Sequence, residues 1–192
     1  MEQIGIKKKQ GSIVEILRDA ILSGRIPEDM EMTQNELAQE LGVSRMPVRE
    51  ALILLEYQGL IRRLPNNHVR VVRFSPSYFE HLFSLCAELE RDALYGWAVP
   101  EELPEDEMEF HRCIYKEYPF EMQKKILESI TEIYIYYAFR CDSYDREYGK
   151  QYIGNIKQAA VEKNMEKTLQ QYKLYFGNLK NAITKERKEN KC

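Results

Sequence analysis

The sequence predicts a mainly α protein, with an N-terminal winged helix-turn-helix over residues 1–74 and a C-terminal all-helical bundle over residues 75–192. Three observations predict it. Thr33–Leu52 reads as two short helices about a glycine turn, and the second helix carries Arg45 and Arg49 one turn apart. Two β-prone runs flank Pro65-Asn66-Asn67 directly after it. Beyond Ser75, apolar residues recur at helical spacing, with no alternating strand pattern and no Gly-rich phosphate loop.

The first helix is expected from about Ser12 to Ser23. Ile13, Ile16, Leu17, Ala20 and Ile21 form its apolar face, Gly24 ends it, and Ile26-Pro27 continues extended. Thr33 caps the next helix, and Glu36 three residues on completes a capping box. Leu37, Ala38 and Leu41 share one face, and Gly42 supplies the positive φ that stops the helix. Val43 is placed to plug the gap between the helices, and Ser44 is a second N-cap. Pro47 falls in the first turn, where its missing N–H does no harm. Val48, Ala51, Leu52 and Leu55 follow the i, i+3, i+4, i+7 pattern of a buried face. Gly59 ends the helix, and Leu60–Leu64 and His68–Arg73 then form a hairpin, the wing.

This pattern points to DNA. The first residues of a recognition helix reach base edges, and an arginine there can hold a phosphate or pair with guanine. The candidate DNA contacts are Thr33, Asn35, Ser44, Arg45, Pro47, Arg49, Arg62, Asn66, Asn67, His68 and Arg70. Arg63 and Arg73 give the wing further cations for phosphate or the minor groove. The net charge of −3 conceals an uneven distribution: residues 42–74 carry six arginines against Glu50 and Glu56. Lys7-Lys8-Lys9 reads either as an arm along the phosphates or as a solubilising tail.

In the second half, Phe79, Leu82, Phe83, Cys86, Leu89, Ala93 and Trp97 mark a buried face. A short helix is expected from Glu105 to about Tyr115, and Pro119 opens a long one with Ile126, Ile130, Ile133 and Tyr137 aligned. A further helix carries Ile156 and Ala160, and Lys163-Asn164 turns into a last one with Met165, Leu169, Tyr172, Phe176, Leu179 and Ile183. Twelve of the chain's thirteen tyrosines lie in this half and give it many rings with a hydroxyl attached. His111, Tyr137, Arg140, Tyr152 and Tyr175 are candidates for a pocket that takes a small organic acid.

No transmembrane stretch or signal peptide is apparent, and four cysteines without C-x-x-C spacing fit a reducing cytoplasm better than a disulfide or metal framework. No catalytic residues are expected: His111 and Cys113 stand at i, i+2, so they point apart on a helix. The alternative is a winged-helix protein-interaction module without an effector.

The segments Ile21-Leu22-Ser23-Gly24-Arg25-Ile26-Pro27, Glu36-Leu37-Ala38, Leu41–Leu52 and Gln58-Gly59-Leu60-Ile61 resemble the N-terminal domain of GntR-type bacterial transcriptional regulators. The resemblance implies that Ser44, Arg45 and Arg49 touch operator DNA and that the wing tip enters the minor groove. Asn66-Asn67 stands where the family usually has glycine, and asparagine tolerates the left-handed conformation. The second half is similar to the FCD domain of the FadR-type branch, on Phe110-His111 and the final helix pair, in a shortened form. That implies a homodimer on double-stranded operator DNA with an effector in the helical domain, and a repressor is expected over an activator because occupying a promoter is mechanically simpler. Many FCD domains hold a divalent metal through one Asp and three His. Glu107 and His111 match the first two ligands, whereas the later ones fall near Tyr152 or Ile153 and near Tyr175. With two candidate ligands, no metal and no other cofactor is expected.

Overall fold

A computed structural model describes residues 13–190; the lysine run at 7–9, the start of the first helix at Ser12 and Cys192 lie outside them. The described residues fall into two compact units that divide between Phe74 and Ser75, with the segment from Arg187 belonging to the first.

In the first unit, α1 spans residues 13–22. It buries Ile13, Val14, Leu17, Ile21 and Leu22, while Ile16 is exposed. The apolar face is therefore rotated from the expected one, because Val14 and Leu22 win the core. The strand β1 (Glu31–Met32) was not expected; two residues carry no periodicity, and it exists only by pairing with β3. Helix α2 (Gln34–Glu40) starts at Thr33 with the full capping box, and α3 (Arg45–Tyr57) starts at Ser44. The Ser44 backbone is extended as an N-cap requires, but its hydroxyl makes no capping bond. Gly42 and Gly59 end the two helices at φ 63° and 72°. Val43 is only half-buried, and Val48, Ala51, Leu52 and Leu55 form the buried face of α3 as expected. Strands β2 (Ile61–Arg63) and β3 (Val69–Val71) make the wing, and the antiparallel sheet runs β1-β3-β2.

The second unit contains α4 (Pro76–Gly96), a 3-10 turn (Pro100–Glu102), α5 (Glu107–Lys116), α6 (Glu121–Ser129), α7 (Tyr136–Ala138), α8 (Arg146–Val161) and α9 (Met165–Glu189). Its sequence-derived helices are all present, with local differences. Trp97 is not core; it stays partly exposed and meets Tyr118 edge-on at 4.8 Å. Between α6 and α7 the backbone runs as a π-helix over Ile130–Ile135, which side-chain periodicity does not signal. There Glu132 accepts a two-pronged bond from Arg112 of α5, at 2.7 and 2.9 Å, and Tyr134 meets the Tyr78 hydroxyl at 2.8 Å.

Arg187 is the residue of the last helix that the first unit depends on. It is 4% exposed. Its Nη1 donates to the carbonyls of Ile21 and Leu22, both at 2.8 Å, so it caps the C-terminal end of α1. Its Nη2 pairs with Glu28, and the guanidinium lies 5.0 Å from the centre of the Phe74 ring. Glu28 in turn accepts from the Phe74 backbone N–H at 3.2 Å. Removing one partner from such a cluster leaves buried polar groups without a donor. Arg187→Ala is expected to destabilise the first unit by about 2–4 kcal/mol, read as a lower urea midpoint of the full chain; an unchanged midpoint would show that the cluster does not support the fold.

Candidate nucleic-acid interface

The start of α2, the start of α3 and the wing tip enclose one concavity of about 430 Å3, lined by Thr33, Gln34, Asn35, Arg45, Arg49, Arg63, Asn66, Asn67 and His68. Local chemistry sets each wall. Glu36 donates its backbone N–H to the Thr33 hydroxyl at 3.2 Å, and the Glu36 carboxylate accepts from the Thr33 N–H at 2.7 Å and its hydroxyl at 2.8 Å. These bonds hold the Glu36 carboxyl below its ordinary range. They also occupy the Thr33 hydroxyl, so Thr33 shapes the rim more than it offers a donor. At the wing tip Asn67 adopts φ 60°, and the Asn66 side chain accepts from the His68 N–H at 3.1 Å. This is an Asx turn, which asparagine supports in place of glycine.

Arg45 and Arg49 are exposed on the outer side of α3. Arg45 reaches Asn35 Oδ1 at 3.5 Å. Among the described residues neither has a carboxylate within ion-pairing distance. The arginines of the wing differ. Arg63 is held by Glu56, 3.3 Å away, Arg73 by Asp29 at 2.9 Å, and Arg70 by Glu31. Glu31 also lies 3.5 Å from His68 Nδ1. The Arg70 guanidinium is the main cause that keeps the Glu31 carboxyl below its ordinary range.

The sheet register explains this pairing. Arg70 sits directly across from Glu31 on β1 and from Arg62 on β2, so one row reads acid, base, base. Like charges opposite one another repel, and Glu31 offsets that repulsion from the far side.

The structure therefore brings together Thr33, Asn35, Arg45, Arg49, Asn66, Asn67 and His68, and it adds Gln34 and Arg63 to them. It does not bring Arg62 and Arg70 there; they line a second concavity of about 400 Å3 with Asp29 and Arg73. Ser44 is exposed and Pro47 half-buried, and neither lines the first concavity. Gln34 follows the cap and had no charge to single it out. The carboxylates that restrain the wing could not be read from the sequence, since Asp29 and Glu31 lie some forty residues from their arginines.

The second unit does not assemble the expected organic-acid pocket. His111 and Tyr175 meet at 2.9 Å, both buried. Tyr137 is core, Arg140 is exposed with its guanidinium 5.6 Å from the Tyr136 ring centre, and Tyr152 packs edge-on to Tyr148 at 4.9 Å. The tyrosines went to separate helical seams. A cavity of about 720 Å3 lies elsewhere, with Glu101, Glu105 and Asp106 facing Lys150 and Lys157 over Ile153 and Val161. No helix among the described residues is long and apolar enough to cross a membrane.

With this geometry in view, residues 9–71 match the gntR family of bacterial regulatory proteins. An HTH-type transcriptional regulator from the TAR-I ttuE-ttuC' intergenic region of Agrobacterium vitis is 34% identical over 74 residues, which are 38% of this chain and 43% of that protein. An HTH-type transcriptional regulator of Mycobacterium tuberculosis is 33% identical over 95 residues, 50% of this chain and 35% of that protein. The chain thus spans less than half the length of these curated relatives. The structure of Lar, which controls the expression of the Listeria monocytogenes agr system, has a TM-score of 0.60 at 20% identity, covering 92% of this chain and 96% of its own, which shows a shared fold. The family match falls within the first unit, whose helices and wing follow the order of a winged helix-turn-helix.

The charge row across the wing leads to a test. Glu31→Gln removes the carboxylate that competes for Arg70 and His68. It is expected to tighten binding to duplex DNA severalfold and to steepen the salt dependence by about one counterion, measured by fluorescence anisotropy over a salt series. Equal affinity and slope in the variant would show that the wing cations make no DNA contact.

Proposed function

We propose that the chain, through its GntR-type domain, is a cytoplasmic transcriptional repressor that binds double-stranded operator DNA as a homodimer. The observation that carries this reading is the pair Arg45 and Arg49. They stand one turn apart at the start of a braced helix, without a carboxylate partner among the described residues, in the same concavity as the wing tip. In a dimer, two such helices would meet half-sites about one turn of duplex apart, and bound repressor would occlude the promoter.

We further propose that an effector in the helical unit alters operator affinity by favouring one spacing of the two DNA-binding domains. The cavity of about 720 Å3 is the seat best supported by its size. Its rim holds three carboxylates and two lysines, so a ligand there must carry positive charge as well as negative. This departs from the plain organic acid that the tyrosine-rich sequence suggests.

The experiment begins with selection of a preferred duplex from a random pool by the full chain. Anisotropy titrations of Arg45→Ala and Arg49→Ala on that duplex are then expected to show a loss of about 1–3 kcal/mol for each. Undiminished affinity in the double variant would exclude α3 as the recognition element and favour the interaction-module reading.

A further inference from the structure

Inside the second unit, α4, α5, α9 and the entry to α8 share a run of polar side chains with almost no access to water. Glu90, His111 and Tyr175 are fully buried, and Glu107 and Tyr144 are 7% and 8% exposed. His111 lies between two partners: Nδ1 is 2.6 Å from Glu90 Oε1, and Nε2 is 2.9 Å from the Tyr175 hydroxyl. Tyr144 donates a short hydrogen bond to Glu107. The other Glu90 oxygen, Oε2, is buried and has no hydrogen-bond partner among the described residues. Gly149 closes the far side. A Cβ built on it would stand 2.0 Å from the Tyr144 hydroxyl oxygen and 2.3 Å from Glu107 Oε2.

Glu107 and His111 are the two residues that the resemblance to metal-holding FCD domains puts forward as ligands. The surroundings do not fit a divalent ion. Such a site needs three or four deprotonated donors around an open centre. Glu90 Oε1 engages His111 Nδ1 and the Tyr175 hydroxyl engages Nε2, so both ring nitrogens an ion could use are already taken. A phenol ordinarily keeps its proton at neutral pH, so Tyr144 and Tyr175 are poor replacements for the missing ligands. Among the described residues no group of three or more His, Cys, Asp or Glu is placed to hold a metal.

We propose that Tyr175 and Tyr144 stand where an ion would otherwise be needed. Tyr175 holds His111 on the side away from Glu90 and Tyr144 holds Glu107, two neighbouring hydrogen-bonded groups that order these helices without metal, and Gly149 is the residue whose missing side chain leaves room for the second. The inference does not depend on the DNA-binding reading. It accounts for three features together: a fully buried histidine with both nitrogens engaged, a buried glutamate paired to a phenol, and a helical glycine pressed against that pair.

The test uses the full chain after dialysis against EDTA. Calorimetric titration with Zn2+ and with Mn2+ is expected to show no saturable site that involves His111, and the thermal midpoint is expected to be the same with EDTA as with either ion. Tyr175→Phe and Gly149→Ala are each expected to lower that midpoint by several degrees, in EDTA and in metal alike. One equivalent of tightly bound metal that raises the midpoint, with both effects lost in His111→Ala, would overturn the proposal. So would a Tyr175→Phe variant as stable as the parent. Weak binding that survives His111→Ala supports it, since that binding lies elsewhere.

Discussion

What the first unit can offer a ligand depends on the rotational setting of α3. Val48, Ala51, Leu52 and Leu55 are buried, and the three large ones each contribute about 1.5–3 kcal/mol by leaving water. A shift of one residue turns an α-helix by about 100°, which would expose this stripe and press arginine into the core. That penalty exceeds what any surface charge could return. The outward display of Arg45 and Arg49 is therefore a by-product of hydrophobic burial, and it needs no interaction of their own to maintain it. The Thr33–Glu36 box fixes α2 in the same way, and the positive φ of Asn67 fixes the wing tip. Three independent local devices thus set three walls of one concavity.

Within that frame, charge is spent unevenly. Arg63, Arg70 and Arg73 each have a carboxylate beside them, whereas Arg45 and Arg49 do not. Partly exposed ion pairs of this kind are weak and screened by salt, so a phosphate can displace Glu31, Glu56 or Asp29. It must still compete to do so. Among the described residues Arg45 and Arg49 meet no such competition, and the attraction for an anion is focused on the start of α3. A small overall net charge is compatible with this arrangement, because the field at a few ångström is decided by the nearest partners.

What was legible in the sequence was what local signals encode. The capping box, the glycine stops and the α3 stripe each lie within a dozen residues, and the hairpin follows from a turn between β-prone runs. What was illegible depends on partners distant in the chain. β1 exists because Met32 and Glu31 meet Val69 and Arg70. The phase of α1 was misread at Ile16 because Val14 and Leu22, equally apolar, decide which side faces the core. Arg187 and Glu90 are charged yet buried, since each has partners that no periodicity indicates. The expected effector residues failed to converge for the same reason: a tyrosine's helical face is readable, but which seam that face enters is not.

The two units thus solve opposite electrostatic problems. In the first, cations stay in water, where pairing is cheap to make and cheap to break. In the second, Glu90 and His111 have left water entirely, and a buried polar group without a partner costs more than a good hydrogen bond returns. Each hydrogen bond made in such a cluster constrains the members it joins. Tyr175 cannot turn without opening His111, and Glu107 cannot move without meeting Gly149. A buried polar cluster adds little to stability compared with a hydrophobic core of the same volume. Its effect is to specify geometry, because a helix shift that an oily interior would absorb leaves donors and acceptors unmatched here. The bundle is ordered by that requirement at the position where the resemblance had placed an ion.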